Sequence, residues 1–146
     1  MGGSASAEIE APIDEVWAVV EDVLIAPDWQ GGLVGITAFE RDEAGRPTLV
    51  ESESDIKVKH VKTQVRFSYE PPTKLSWTQE KGDLKSVDGS WMLEDLGGGR
   101  TRATYTLDSD PGRVLGMVLR GPVESAVTAM LVNARPGELK KKVEKG

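Results

Sequence analysis

From Leu33 to Leu107 apolar and polar residues alternate in twos, and after Arg113 the rhythm changes to threes and fours. Val114, Leu115, Val118, Leu119, Val123, Ala126, Val127, Met130 and Leu131 follow the i, i+3, i+4, i+7 spacing of one helix face, which predicts a helix over 113–133. The alternating part divides into six strands, at 33–41, 47–55, 58–70, 74–81, 85–95 and about 101–107, separated by turn residues such as Gly45, Pro71-Pro72, Gly82-Asp83 and Gly97-Gly98-Gly99. Another strand is expected at 6–10, where Ala7 and Ile9 share a face, with residues 1–4 as a flexible start. Between these, Pro12 opens a helix with Asp14 and Glu15 in its first turn and a stripe of Ile13, Val16, Trp17, Val20 and Leu24. Trp17 on that stripe reads as a core anchor. A short second helix at 26–30 carries Trp29, whose side chain can line a pocket rim or simply pack.

Parity then assigns faces. On 47–55, Val50, Ser52 and Ser54 oppose Glu51, Glu53 and Asp55; three carboxylates would not face a core without partners, so the serine face is the inner one. Small inward serines leave volume unfilled. The same count turns Phe67, Tyr69, Trp77, Trp91 and Tyr105 inward with Val61, Thr63, Val65, Leu75, Val87 and Leu93, and marks Gly89 as a bulge or close approach. Phe39 is ambiguous, since it opposes Val34, Ile36 and Ala38. The expected fold class is α+β, a β-α-α-β6-α order in which a curved, seven-stranded antiparallel sheet wraps a long C-terminal helix. Gly121-Pro122 should bend that helix, and Pro136-Gly137 should end or kink it again before a basic helical tail at 138–146.

Composition narrows the chemistry. With 146 residues the chain suits one domain with a real core. No cysteine and a single histidine exclude disulfides, cysteine nucleophiles and multi-histidine metal sites, so no metal and no cofactor is expected. No apolar run is long enough to span a membrane and no signal peptide is evident, which makes the cytoplasm the default. The net charge of −6 argues against nucleic acid, although residues 1–55 hold 13 acids and 2 bases while the rest hold 11 acids and 16 bases. That acidic edge reads first as a solvated surface, and as a protein-docking face in a third reading of the chain's function. The lysines at 140–142 and 145 complement a helix C-terminus without needing a partner.

Several stretches carry a family resemblance: Ala11-Pro12-Ile13-Asp14-Glu15-Val16-Trp17, Ala26-Pro27-Asp28-Trp29, Leu75-Ser76-Trp77 with Lys81-Gly82-Asp83-Leu84, Asp88-Gly89-Ser90-Trp91, and Gly99 to Leu107. In this order they resemble the SRPBCC (START and pollen-allergen-like) superfamily, in its polyketide cyclase/dehydrase-like branch. The resemblance implies the helix-grip fold and a deep apolar cavity between sheet and last helix. The expected function is binding or transport of a hydrophobic small molecule such as a lipid, isoprenoid or polyketide-like compound. Candidate ligand contacts are Trp29, Phe67, Trp77, Trp91, Tyr105, Val118, Leu119, Val123 and Met130. The alternative is a metal-free aromatic cyclase or dehydratase in which Tyr105, with Thr63 or Ser54, polarises a carbonyl. His60 falls on an outer strand face and is not expected to act as a base. The chain is expected as a monomer or a homodimer.

Overall fold

A computed structural model describes residues 2–145. Seven antiparallel strands form one sheet in the order β1-β7-β6-β5-β4-β3-β2. They are β1 (Gly2–Ile9), β2 (Leu33–Arg41), β3 (Pro47–Asp55), β4 (His60–Glu70), β5 (Lys74–Gly82), β6 (Ser86–Gly97) and β7 (Arg100–Asp110). β2 to β7 form a meander of neighbouring hairpins, and β1 returns to the far edge beside β7. Residues 2–4, expected as a loose start, are strand: Gly2 to Ser4 pair with Asp108 to Thr106. Their backbone groups complete the ladder along an otherwise unpaired edge of β7, so the apolar alternation that marks Ala7 and Ile9 is not needed to hold them. Met1 and Gly146 lie outside the described residues.

Helix α1 (Ile13–Glu21) starts from Pro12 and buries Val16, Trp17 and Val20 against β6 and β7. Its Trp17 indole donates to Glu21 at 2.9 Å, which makes it the satisfied core anchor expected of its stripe. A tight 3-10 segment (Val23–Asp28) follows and lies against β2. Buried Thr101 of β7 donates its hydroxyl to the Ala11 carbonyl at 2.8 Å and so fixes the corner between β1 and α1.

The C-terminal part is more broken than a single 21-residue helix. It comprises α2 (Arg113–Gly116), α3 (Pro122–Thr128), a wide π-type turn (Ala129–Asn133) and α4 (Arg135–Lys145). Gly121 separates α2 from α3 with φ of 55° and ψ of −127°, a conformation open to glycine alone. The end or kink expected at Pro136-Gly137 falls just before it, at 129–134. Pro136 sits in the first turn of α4, where its missing N–H is harmless, and the chain widens just before it, with Ala134 N–H reaching the Ala129 carbonyl at 3.0 Å. The basic tail is accordingly docked: Leu139 is fully buried, Lys140 donates to the Glu8 carbonyl at 2.8 Å, and Glu144 accepts from Glu10 N–H at 2.9 Å.

Two hydrophobic clusters result. One joins α1, α4 and the β5–β7 side of the sheet through Ile9, Val16, Trp17, Leu75, Trp91, Tyr105, Val132 and Leu139. The other gathers Ile56, Val61, Leu119, Val127 and Leu131 where the broken helix meets the ends of β3 and β4. Replacing Leu139 by alanine should cost about 2–5 kcal/mol in chemical denaturation, as for other fully buried leucines. A loss below 0.5 kcal/mol would mean that α4 is not docked as described.

Candidate ligand-binding site

A cavity of about 150 Å³ lies between the two clusters. The sheet supplies most of its wall: Val50, Ser52 and Ser54 from β3, Val61, Thr63, Val65 and Phe67 from β4, Leu75 and Trp77 from β5, and Trp91, Tyr105 and Leu107 from β6 and β7. Val23, Ala26, Trp29, Leu119, Leu131 and Arg135 close it from the helical side. The alternation in β3 thus holds, with the serines inward. Glu53 faces outward with its carboxylate 2.9 Å from the Nδ1 of exposed His60, whose pKa rises mainly through that hydrogen bond. His60 plays no part in the cavity.

The inward aromatics form one continuous run. Ring centroids are 6.3 Å apart for Trp29 and Trp91, 4.7 Å for Trp91 and Tyr105, 5.7 Å for Tyr105 and Trp77, and 5.7 Å for Trp77 and Phe67. Tilted pairs of this kind add about 0.5–1.5 kcal/mol each beyond simple burial. Tyr69 continues the run but leaves the cavity: its hydroxyl donates to the Pro47 carbonyl and Arg46 lies over its ring at 4.8 Å. Trp77 can lie flat because its cross-strand partner is Gly89. A β-carbon there would meet the indole at 2.3 Å, so Gly89 is a close approach with no bulge between β5 and β6.

Of the nine candidate contacts, Trp29, Phe67, Trp77, Trp91, Tyr105 and Leu119 line the cavity. Val118 and Val123 do not; they are 50% and 37% exposed. The helical phase that placed them inward is lost after Gly116, where α2 ends, and again at Gly121, where the chain changes direction. Met130 packs with the second cluster and beside Gly32, away from the cavity wall. Thr63, considered as a carbonyl donor, already gives its hydroxyl to Gln79 at 2.7 Å.

The polar end of the cavity contains a residue missed by the strand-and-stripe reading. Arg135 is only 3% exposed. Its Nη1 donates to the Gly31 carbonyl at 2.7 Å and to Glu138 at 2.8 Å, while Glu138 accepts from Gly31 N–H at 2.8 Å. Two side chains of α4 therefore hold both backbone groups of the residue that follows the Trp29 segment. Burial raises the Tyr105 pKa, opposed by the nearby guanidinium and its hydrogen bond, and the phenol stays protonated at neutral pH. A signal for Arg135 was present: it stands four residues from both Leu131 and Leu139, on the buried stripe.

The family model described as "Polyketide cyclase / dehydrase and lipid transport" matches residues 9–134. The chain belongs to this family. No match was found among curated proteins. Among solved structures, a START superfamily protein from Mycobacterium smegmatis aligns with a TM-score of 0.83 at 18% identity, over 99% of this chain and 97% of the other. The Zhui aromatase/cyclase from a Streptomyces species gives 0.80 at 18% identity, over 99% and 94%. A protein from Thermus thermophilus gives 0.84 at 18%, over 99% and 98%. At that identity the likeness speaks to the fold, which is the helix-grip arrangement. In this family member no helix among the described residues is long and apolar enough to cross a membrane.

Placing a methyl group at the Trp77 contact tests the aromatic wall. Gly89→Ala should lower stability by about 1–3 kcal/mol through overpacking and shift the tryptophan emission spectrum. An unchanged spectrum with unchanged stability would show that Trp77 does not rest on Gly89.

Proposed function

We propose that this family member binds a small hydrophobic molecule between its sheet and the broken C-terminal helix. The observation that carries this reading is the cavity of about 150 Å³, walled by Phe67, Trp77, Trp91 and Tyr105, at the place where two separate cores fail to merge. A void that size, lined mainly by apolar side chains, favours an apolar guest. It suits a ligand of one or two rings or a short chain, and a long acyl or polyketide chain requires α2 and α3 to move outward. Burying about 300 Å² of ligand surface at about 25 cal/mol per Å² contributes roughly 7 kcal/mol before the entropic cost of association.

A cyclase or dehydratase is the second reading, and the pairing of Tyr105 with Arg135 favours it. A protonated phenol backed by a guanidinium can polarise a carbonyl. Binding takes precedence because the cavity wall is mainly apolar and the Thr63 hydroxyl is already engaged. Docking through the acidic edge has no observation in its favour: Glu40 lies 3.3 Å from Arg66, Asp42 2.9 Å from Arg46, and Glu53 bonds His60.

Titration with tetralin, a two-ring hydrocarbon, tests the reading. Saturating ligand should raise Tm by several degrees and alter tryptophan emission. Absence of both changes with tetralin and with smaller arenes would overturn it.

A further inference from the structure

The cavity is mainly apolar; Ser52, Ser54 and Thr63 are hydroxyl groups on its sheet wall, and Trp29 and Arg135 border it from the helical side. Trp29 Nε1 and Arg135 Nε are both buried there, line the same cavity, and have no hydrogen-bond partner among the described residues. They belong to one corner. Trp29 packs on Trp91, Trp91 packs on Tyr105, the Arg135 guanidinium lies near Tyr105, and Arg135 also holds the carbonyl of Gly31, two residues after Trp29. Buried donors are almost always paired, and two left over beside a cavity mark where an acceptor belongs. The sheet-side clusters offer no comparable feature.

Both groups are donors only, so the occupant must present an acceptor. Its charge follows from the neighbours. The guanidinium already has Glu138 at 2.8 Å, which leaves this corner formally neutral. A carboxylate would bring an uncompensated negative charge into an apolar pocket next to Glu138, whereas a carbonyl oxygen accepts both N–H groups and adds none. We infer that the Trp29–Arg135 corner is a subsite for the carbonyl oxygen of an otherwise apolar ligand, such as a small cyclic ketone. The inference rests on the proposed binding function and assigns its ligand class.

Matched probes separate the two claims. Affinities for tetralin, 1-tetralone and 1,2,3,4-tetrahydro-1-naphthoate are measured by calorimetry on the wild-type protein, Trp29→Phe and Arg135→Lys. The wild type should prefer the ketone to the hydrocarbon by about tenfold. That preference should shrink severalfold in Trp29→Phe, which keeps a ring and loses the N–H, and in Arg135→Lys, which keeps the charge and loses Nε. Ketone binding should also move the Trp29 indole N–H resonance downfield, a readout available even where Arg135→Lys does not fold. Equal affinity for tetralin and tetralone, or a preference unchanged by Trp29→Phe with a stationary indole resonance, overturns the subsite while leaving hydrophobic binding intact. Tighter binding of the carboxylate overturns the assignment of a neutral acceptor. Failure of all three ligands to bind the wild type removes the binding function and the subsite with it.

Discussion

Burying Arg135 is the constraint on which the geometry of the cavity depends. A guanidinium at 3% exposure is tolerated only where its charge and N–H groups are met. Glu138 meets the charge from one turn further along α4, and the Gly31 carbonyl takes a second bond from the same nitrogen. Because Glu138 also accepts from Gly31 N–H, the pair holds the loop after the 3-10 segment against α4 from two sides. Trp29 sits just before that loop. The position of its ring over Trp91, and hence the end wall of the cavity, is set by an ion pair on another element.

The cavity exists because the two cores cannot meet. Serines at 52 and 54 face inward where larger side chains would fill the space, and Trp77 lies along the sheet over Gly89. On the helical side, the chain leaves α2 at Gly116 and turns again at Gly121; between these points Leu119 enters the cavity while Val118 remains outside. A straight helix over 113–133 would have presented an unbroken apolar stripe to the sheet and closed the gap. The interruption and the void are linked.

Much of this was legible from alternation alone. Carboxylates on one face of β3 decided the inward direction of its serines, and parity on β4 to β7 brought the tryptophans and Tyr105 together. Alternation fails wherever an extra residue enters a strand. Register shifts near Gly35 and Glu40 let Leu33 and Ile36 line the cavity three residues apart, while Val34 is 52% exposed and Phe39 also faces out. The interruption expected at Pro136-Gly137 lies a few residues earlier, because Pro136 fits the first turn of α4 and the chain widens at 129–133 instead. Arg135 was overlooked because of its charge, although it stands on the buried stripe with Glu138 three residues on; its second partner, Gly31, is more than a hundred residues away and no local rule joins them.

A mainly apolar space separates the sheet from the broken helix, and crystals pressurised with xenon probe it. Xenon enters dry cavities and leaves packed cores empty. The structure predicts xenon density bounded by Phe67, Trp77, Tyr105 and Leu119. Crystals that take up xenon nowhere between the sheet and the C-terminal helical segments would contradict it.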